Sequence, residues 1–287
     1  MDALVHLFRM PLLTQVSLVL SATLPASASP LVFSNLQDIT LQSKSLTAIS
    51  QLLSQTRLPV VMSFSTMIDK CPSKQEISSF LAGVQTSSAG NSIKRLRFTQ
   101  LSPSLWNVGR SQAHLLGLQD LRPYMAFCNI RQIELEIEWN VDLTDSGLLT
   151  LASAWPQLEN FVINAEWGWN TPGGITPDGL LQLLQTCPSL RWIALAIDTR
   201  HYTELPSSGL LASLGWTTRP TVVHLDVLDS AIQAESVPAI GAFFACTPCG
   251  NVSFRSWSGE QMERPYNWEV YYNRWDDVRK WANGLLV

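Results

Sequence analysis

Cysteine and histidine are the residues of this sequence with the most distinctive chemistry, and the closest cysteine pair is Cys246 and Cys249. A Cys-x-x-Cys spacing suits redox chemistry or half of a zinc site. No second such pair occurs, and the four histidines show no spacing typical of metal ligands: His6, His114, His201 and His224. We therefore predict no metal and no cofactor and interpret both cysteines as core positions, with redox or zinc chemistry as the alternative.

The sequence lacks the common catalytic motifs. It has no G-x-S-x-G nucleophile elbow, no phosphate-binding P-loop and no dinucleotide-binding G-x-G-x-x-G. Its scattered Ser, His and Asp residues form no pattern that indicates a triad. We predict that the protein is not an enzyme, and an enzyme with an unrecognised site is a third hypothesis beside the two binding roles described below.

Composition and charge restrict the partners and the compartment. The 287 residues are 46% hydrophobic and 15% charged, which is enough to bury a core. A formal net charge of -4 gives no general attraction to nucleic acid or anionic lipid, so we predict binding to neither. The longest charge-free hydrophobic stretch, 11–24, is too short and too polar to span a membrane. Five cysteines, an odd number spread along the chain, favour reduced thiols and a cytoplasmic or nuclear location.

One segment of the sequence occurs twice in nearly the same form. LTDSGLLTLASAWPQL begins at Leu143 and ITPDGLLQLLQTCPSL begins at Ile175, and the two align without a gap at an offset of 32 residues. Each copy leads into a run typical of a strand, beginning at Leu158 and Leu190, that fits the template L-x-x-L-x-L. The repetition indicates one structural unit, a helix followed by a strand, that is used more than once.

The same template, with large apolar residues allowed at each L, recurs along the whole chain. Its nine starts are spaced by 23 to 37 residues and lie at positions 13, 36, 59, 93, 130, 158, 190, 222 and 249. The start at 59 is the weakest, with Pro59, Met62 and Phe64 at the three template positions. A strand-plus-helix unit cannot cover its own apolar side, so the copies are expected to stack against each other.

The second copy of the repeated segment shows how one unit is built. Thr176 is placed to cap a helix. Pro177 follows at the first helical position, where the backbone N–H that proline lacks would have no partner in the helix. Asp178 places a negative charge at the positive end of the helix dipole. Leucines follow at helical spacing, and Cys187 before Pro188 ends the helix. We predict an α/β fold, a leucine-rich-repeat solenoid with a curved parallel sheet inside, helices outside and about eight or nine irregular repeats.

The repeated segments resemble those of a known family. The similar segments are LTD followed by AWPQL in the first copy and IT followed by GLLQLLQTCPSLR in the second. They resemble the repeats of F-box leucine-rich-repeat proteins, in particular a large fungal, basidiomycete-type F-box-like family. The resemblance is close over 130–197 and extends, by spacing, over 12–272. It implies a protein-binding repeat domain of the kind that selects substrates for ubiquitin ligases.

Two features of the sequence depart from that family. The residues before Leu12 are too few for the helical F-box that docks on a ligase adaptor, so we expect adaptor binding only if an F-box is supplied elsewhere. The position eight after a template start, where such repeats place asparagine, holds Glu138, Glu166 and Asp198. The repeats are therefore expected to be irregular.

Candidate partner-binding residues follow from the alternation of side chains along each strand. Positions two, four and six after a template start are predicted to face away from the core, where Arg97 opposite Glu134 predicts a cross-strand ion pair. Tryptophans just past the strands are predicted to be exposed anchors that suit a basic peptide or protein, with capping of the core as the alternative. The predicted partner-binding set is Arg95, Arg97, Glu134, Glu136, Trp139, Glu166, Trp167, Trp169, Trp192 and Tyr202.

The C-terminal segment is predicted to close the stack of repeats. Apolar and aromatic residues recur there at three- and four-residue steps, which predicts an amphipathic helix. The predicted domains are therefore a solenoid over 1–257 and a capping segment over 258–287, and a partner-binding helix is the alternative role. The residues that define this pattern are Trp268, Tyr271, Tyr272, Trp275, Val278 and Trp281.

Two binding roles fit these features. We predict a non-catalytic scaffold that binds a protein or peptide on the concave face of the sheet or on the loops at the strand ends. The alternative is a secreted or cell-surface leucine-rich-repeat protein, because Arg9, the apolar run after it and the small residues at 26–29 are typical of a signal peptide. The likeness of 13–29 to early repeats of the F-box-like family favours a strand over a signal peptide for 12–20.

Overall fold

The structure is a computed structural model, and it divides the chain into two compact units. Unit 1 comprises Met1–His114 and Gln119–Glu138, and unit 2 comprises Leu115–Leu118 and Trp139–Val287. The domain boundary predicted after 257 lies inside unit 2 and stays a prediction. The residues that the structure describes are 6–7, 10–21, 30–88, 92–101, 115–171, 173–203, 224–246, 253–260, 262, 264–282 and 284.

Short strands recur along the described ranges, as the repeated template predicts. They alternate apolar residues toward the core with polar residues on the other side, which is the pattern of a strand covered on one face. The strands are β1 (Gln15–Leu20), β2 (Leu31–Val32), β3 (Asp38–Ser43), β4 (Thr56–Arg57), β5 (Ser63–Ile68), β6 (Arg95–Gln100), β7 (Leu115–Gly117), β8 (Gln132–Glu136), β9 (Asn140–Asp142), β10 (Asn160–Ile163), β11 (Trp192–Ala194), β12 (His224–Asp226) and β13 (Ser253–Arg255).

Nine of these strands form one large parallel sheet. Their order is β1-β3-β5-β6-β8-β10-β11-β12-β13, so strands that follow successive template starts are neighbours. The predicted α/β fold with a parallel sheet is confirmed at this level. Two shorter parallel pairs, β2 with β4 and β7 with β9, hold the connections within each unit.

The strand register agrees with most of the predicted template starts and contradicts two of them. Asp38 pairs with Ser63 and His224 pairs with Ser253, so the starts predicted at 59 and 249 are each wrong by two residues. Side chains alternate with a period of two, so a shift of two leaves the same residues facing the core. The first template position changes its environment, from Pro59, which is exposed, to Val61, which is buried.

The prediction of a strand in the N-terminal region is confirmed. β1 pairs in parallel with β3 over six residues, from Gln15 with Asp38 to Leu20 with Ser43. Among the described residues, none of the helices combines the length and apolar character that a membrane crossing requires. The cytoplasmic or nuclear location stays a prediction.

Both helices of the repeated segment begin at a threonine that caps them. The Thr176 hydroxyl accepts the Gly179 N–H at 3.2 Å, so the cap predicted there is confirmed, and Thr144 caps the equivalent helix by accepting the Gly147 N–H at 3.3 Å. The described helices are α1 (Leu46–Ser54), α2 (Lys74–Ser87), α3 (Leu118–Leu121), α4 (Asp145–Ala154), α5 (Pro177–Thr186), α6 (Val237–Cys246) and α7 (Trp268–Ala282), with 3-10 helices at Arg122–Ala126 and Ala234–Ser236.

The core of each unit lies between the apolar side of the strands and the paired helices. In unit 1, where α1 packs on α2, the ring of Phe80 meets Phe64 and Phe98 edge to face, each with centroids 5.8 Å apart. In unit 2, α4 packs on α5, and Trp155 lies against Phe161 with centroids 6.3 Å apart. Aromatic contacts of this kind add specificity to the burial of the template residues.

The predicted C-terminal amphipathic helix is present as α7, which packs on α6 in unit 2. Trp275 and Val278 face inward and are fully buried. The indole Nε1 of Trp275 donates to the Ser230 carbonyl at 2.9 Å, which satisfies its polar atom inside the core. The helix therefore seals apolar surface of unit 2.

Candidate partner-binding site

The polar side of five parallel strands in unit 1 forms an open, shallow site. Because neighbouring parallel strands are in register, their outward side chains line up in rows across β1, β3, β5, β6 and β8. Ten polar residues line an open cavity of about 620 Å³ in these rows. We call them the open face: Gln15, Asp38, Ser63, Arg95 and Gln132 in the first row, and Ser17, Thr40, Ser65, Arg97 and Glu134 in the second.

Two ion pairs organise the charges of the open face. Arg97 Nη2 lies 2.9 Å from Glu134 Oε1, which confirms the predicted cross-strand pair. Arg95 Nη2 lies 3.0 Å from Asp38 Oδ1, and this pair spans β5 because the small side chain of Ser63 leaves room beneath it. Exposed pairs of this kind stabilise a fold by only about 0–1 kcal/mol each. Their main effect is to hold the two guanidinium groups in fixed positions.

Small hydroxyl side chains form the floor beside the arginines. Ser17, Thr40, Ser63 and Ser65 lie on β1, β3 and β5, the strands that precede Arg97 in the sheet. A hydroxyl group both donates and accepts hydrogen bonds, and a short side chain keeps the floor low. The floor can therefore meet the backbone N–H and C=O groups of a bound peptide.

Burial affects the two acidic residues predicted on β8 differently. Burial raises the pKa of Glu134, and the nearby Arg97 guanidinium opposes that rise. Glu136 was predicted to face solvent, and this is wrong because its side chain is only 5% exposed. A carboxylate buried to that extent has to be satisfied inside the protein, so Glu136 is not part of the open face.

The three tryptophans just past the strands are buried, so their predicted exposure is wrong. Trp139 and Trp169 are 0% exposed and Trp167 is 2% exposed. Trp169 donates its indole N–H to the Ile163 carbonyl at 2.9 Å, which lets the ring enter the core without an unsatisfied donor. The alternative prediction, that these rings cap the core, is the correct one. The basic guest that exposed rings would have suited has no support here.

Backbone turns and one aspartate direct this tryptophan loop inward. Asn164 and Gly168 have positive φ angles of 55° and 72°, which reverse the chain after β10. The Asp229 carboxylate then accepts the N–H groups of Trp169 and Asn170 at 2.8 and 2.6 Å. Charge-assisted bonds to two adjacent amides fix the loop in place.

The other predicted residues of unit 2 differ in their exposure. Trp192 is 36% exposed and Glu166 is exposed, as predicted. Tyr202 is half-buried, with its ring edge to face against Phe243 at 5.8 Å, and burial together with Asp178 raises its pKa to about 12. Tyr202 therefore contributes mainly to packing.

The outward positions at the ends of the unit 2 strands are covered by loops. Ala194 and Asp226 were predicted to be open, but they are 0% and 3% exposed. Ser258 Oγ lies 3.2 Å from Asp226 Oδ2, which places its loop over β12. A methyl group on Gly259 would lie 2.6 Å from the Glu166 carbonyl oxygen, so the loops after β10 and β13 meet closely. The open face encloses about 620 Å³, compared with about 410 Å³ for a cavity on the strands of unit 2.

The sequence indicates that these repeats lack the asparagine usually found eight residues after a template start. Other buried polar side chains link neighbouring strands in this region. Asn164 Nδ2 donates to the Trp139 carbonyl at 2.7 Å, and the Glu138 N–H donates to Gln100 Oε1 at 3.0 Å. Ser230 Oγ accepts the Ile197 N–H at 2.7 Å. Asn164 and Gln100 do not lie at position eight after their template starts, and Ser230 lies there but is not an asparagine, so a search for asparagine at that position misses all three.

The described residues offer no evident metal or redox site. Among them, no three His, Cys, Asp or Glu side chains are grouped so that they could hold a metal ion. Cys249 and the side chain of Cys246 lie outside the described residues, so their interpretation as core positions stays a prediction. Cys187 is buried, its Sγ lies 3.4 Å from the Trp155 carbonyl oxygen, and burial raises its pKa to about 12. A thiol in that environment is unreactive near neutral pH.

The chain was compared with known protein families and with curated proteins. No known protein family matches it, and no curated protein does either. Its function is therefore inferred from the repeats and from the geometry of the open face.

Proposed function

We propose that this protein is a non-catalytic leucine-rich-repeat scaffold that binds a protein or peptide through the open face of unit 1. The strands follow one another in the sheet in chain order, as stacked copies of one unit require. The threonine-capped helices α4 and α5, which carry the doubled segment, support the same solenoid architecture. The observation that carries the proposal is the open face itself, a set of ten polar side chains held in register on five strands.

The dimensions of the open face suit an extended segment. Five parallel strands about 4.8 Å apart span roughly 19 Å, and an extended peptide rising about 3.3 Å per residue would cross them with about six residues. Arg95 and Arg97 have side chains 51% and 56% exposed, so their remaining N–H groups are accessible to carbonyl or carboxylate oxygens. Two arginines are balanced by Asp38 and Glu134, so recognition depends on hydrogen-bond geometry more than on net charge.

The resemblance to F-box-like repeats supports a finer proposal. In this proposal the scaffold is the substrate-recognition part of a ubiquitin-ligase subunit, and the open face holds the substrate. An F-box supplied elsewhere would then bind the adaptor. Affinity purification that recovers the adaptor or a cullin would support the ligase role, and their absence would remove it without affecting the scaffold proposal.

The open face can be tested with peptides selected on the purified protein from a random display library. Calorimetric titration of the tightest peptide would compare the wild type with Arg97→Gln and with Lys94→Gln. Loss of a charge-assisted bond is expected to weaken binding about tenfold or more in Arg97→Gln. Lys94 is the matched control, because it is exposed, carries the same charge and lies just outside the open face.

The control separates a specific contact from a change in net charge. Binding by Lys94→Gln is expected to stay within about twofold of the wild type, since an exposed charge outside the contact surface is weakened by salt screening. Equal weakening in both variants would contradict the proposal, and so would no weakening in either. Thermal unfolding of each variant would establish that it is folded before titration.

A further inference from the structure

Unit 2 contains a second pocket whose residues are all distinct from the open face. Trp192, His224, Leu225, Asp226 and Arg255 line a cavity of about 410 Å³. Strand pairing places His224 beside Trp192 and Arg255 beside Asp226, so the lining comes from three adjacent parallel strands. We infer that this pocket binds a peptide carboxylate that is carried next to an apolar side chain.

The guanidinium of Arg255 is held at two points and remains accessible. Its Nε lies 3.7 Å from Asp226 Oδ2, and its Nη2 donates to Ser258 Oγ at 3.1 Å. The side chain is still 55% exposed. A positioned guanidinium with unused N–H groups matches a carboxylate, which can accept two parallel hydrogen bonds.

The carboxylate of the pocket is already occupied by protein groups. Asp226 is 3% exposed, its Oδ1 accepts the Leu228 N–H at 3.0 Å, and its Oδ2 lies 3.2 Å from Ser258 Oγ. Asp226 therefore positions Arg255 and is a poor partner for a cationic guest. The exposed polar groups of the lining are a guanidinium and an imidazole, both of which can donate hydrogen bonds. A guest rich in acceptors complements them.

Trp192 supplies the apolar side of the pocket. It is 36% exposed, whereas Trp139, Trp167 and Trp169, which follow their strands, are buried. An indole face next to a guanidinium suits a peptide residue with an apolar side chain close to a carboxylate. That carboxylate can come from a glutamate side chain or from a peptide C-terminus.

Three small probes distinguish these sources by their effect on the Trp192 indole N–H signal in an NMR titration. The probes are acetyl-leucyl-glutamate amide, acetyl-leucine with its free carboxylate, and the neutral acetyl-leucyl-glutamine amide. Assignment of the signal would use Trp192→Phe. We expect at least one carboxylate probe to bind about tenfold or more tightly than the neutral probe, because a charge-assisted bond is stronger than a neutral one.

Variants of the lining test which groups make the contact. Arg255→Gln and His224→Gln are each expected to weaken the binding, and His224→Gln decides the matter if Arg255→Gln fails to fold. Arg95→Gln, on the open face, is the matched control and is expected to bind the probes as the wild type does.

The inference is overturned if all three probes act alike, if no probe shifts the indole signal, or if His224→Gln and a folded Arg255→Gln both bind as the wild type does. The outcome is separate from that of the open face. Arg97→Gln tests the open face with selected peptides and is expected to leave these probes unaffected.

Discussion

At the scale of single residues, the tryptophans after the strands stabilise the fold and do not form a binding surface. A tryptophan in a strand-end loop has the same sequence pattern whether its ring faces solvent or the core. The structure distinguishes the two cases through Asp229, which binds the loop amides from a distant part of the chain. No local pattern could have predicted that contact.

Replacement of a buried tryptophan should therefore cost stability. We expect Trp169→Ala to lower the free energy of unfolding by about 3–5 kcal/mol, since it leaves a cavity and an unpaired Ile163 carbonyl. Urea unfolding followed by circular dichroism would measure the change. Trp192→Ala is the matched control, because Trp192 is partly exposed and its removal should cost much less. Similar stabilities for Trp169→Ala and the wild type would show that the ring is not in the core.

A buried aspartate makes stability depend on pH. Burial raises the pKa of Asp226 above its usual value of 3.8, although Leu228, Arg255 and Ser258 stabilise the charged form. Because the folded pKa exceeds the unfolded one, this group favours the folded state below the unfolded pKa and loses that contribution as pH rises through the folded pKa. Ionisation of Asp226 therefore destabilises the protein toward neutral pH.

Asp226→Asn removes this titration while keeping the shape of the side chain. The stability of the wild type relative to Asp226→Asn should fall as pH rises from about 4 to about 7. Urea unfolding of both proteins across that range would provide the comparison. A difference that stays constant, or that grows in favour of the wild type, would contradict the raised pKa.

At the scale of secondary-structure elements, the repeated Thr-Asp pattern links one helix to the next. Asp145, in the first turn of α4, accepts the Thr176 N–H at 2.8 Å and the Thr176 hydroxyl at 2.7 Å. Gly179 lies so close that an added methyl group would overlap the Asp145 carboxylate. The sequence predicted Thr176 as a cap, but it did not show that the preceding repeat holds the cap in place.

A double-mutant cycle can measure this link. Asp145→Ala should cost about 1–3 kcal/mol because it removes both hydrogen bonds to Thr176. Gly179→Ala should cost about 1–3 kcal/mol in the wild type, because it displaces the carboxylate, and distinctly less in Asp145→Ala. Urea unfolding of the four proteins gives the coupling energy. Strictly additive effects would show that Gly179 and Asp145 do not interact.

The start of helix α2 carries a local sequence signal. Ser73 and Glu76 form a capping box, in which the serine hydroxyl accepts the Glu76 N–H at 3.2 Å and the glutamate accepts the Ser73 N–H at 2.9 Å. The spacing of these two residues is visible in the sequence. A search for capping boxes would have placed this helix without any use of the repeat.

At the scale of the whole molecule, the sequence predicts the strand order better than it predicts which surface is open. Stacked units must place successive strands side by side, so nine template starts were enough to predict one parallel sheet. The template predicted the buried positions of most strands as well. Solvent exposure on the other side depends on loops from distant parts of the chain, as Ser258 over Asp226 shows. The outward positions were therefore predicted correctly for most of unit 1, with Glu136 as an exception, and too broadly in unit 2.

The most direct test of the scaffold proposal is a crystal structure of the protein with its tightest selected peptide. We expect the peptide to lie extended on the open face, with hydrogen bonds to Arg97 and to the hydroxyl of Ser65. The same nine strands should remain in one parallel sheet. A peptide bound outside the open face, with Arg97 and Ser65 uncontacted, would contradict the assignment of this surface as the partner-binding site.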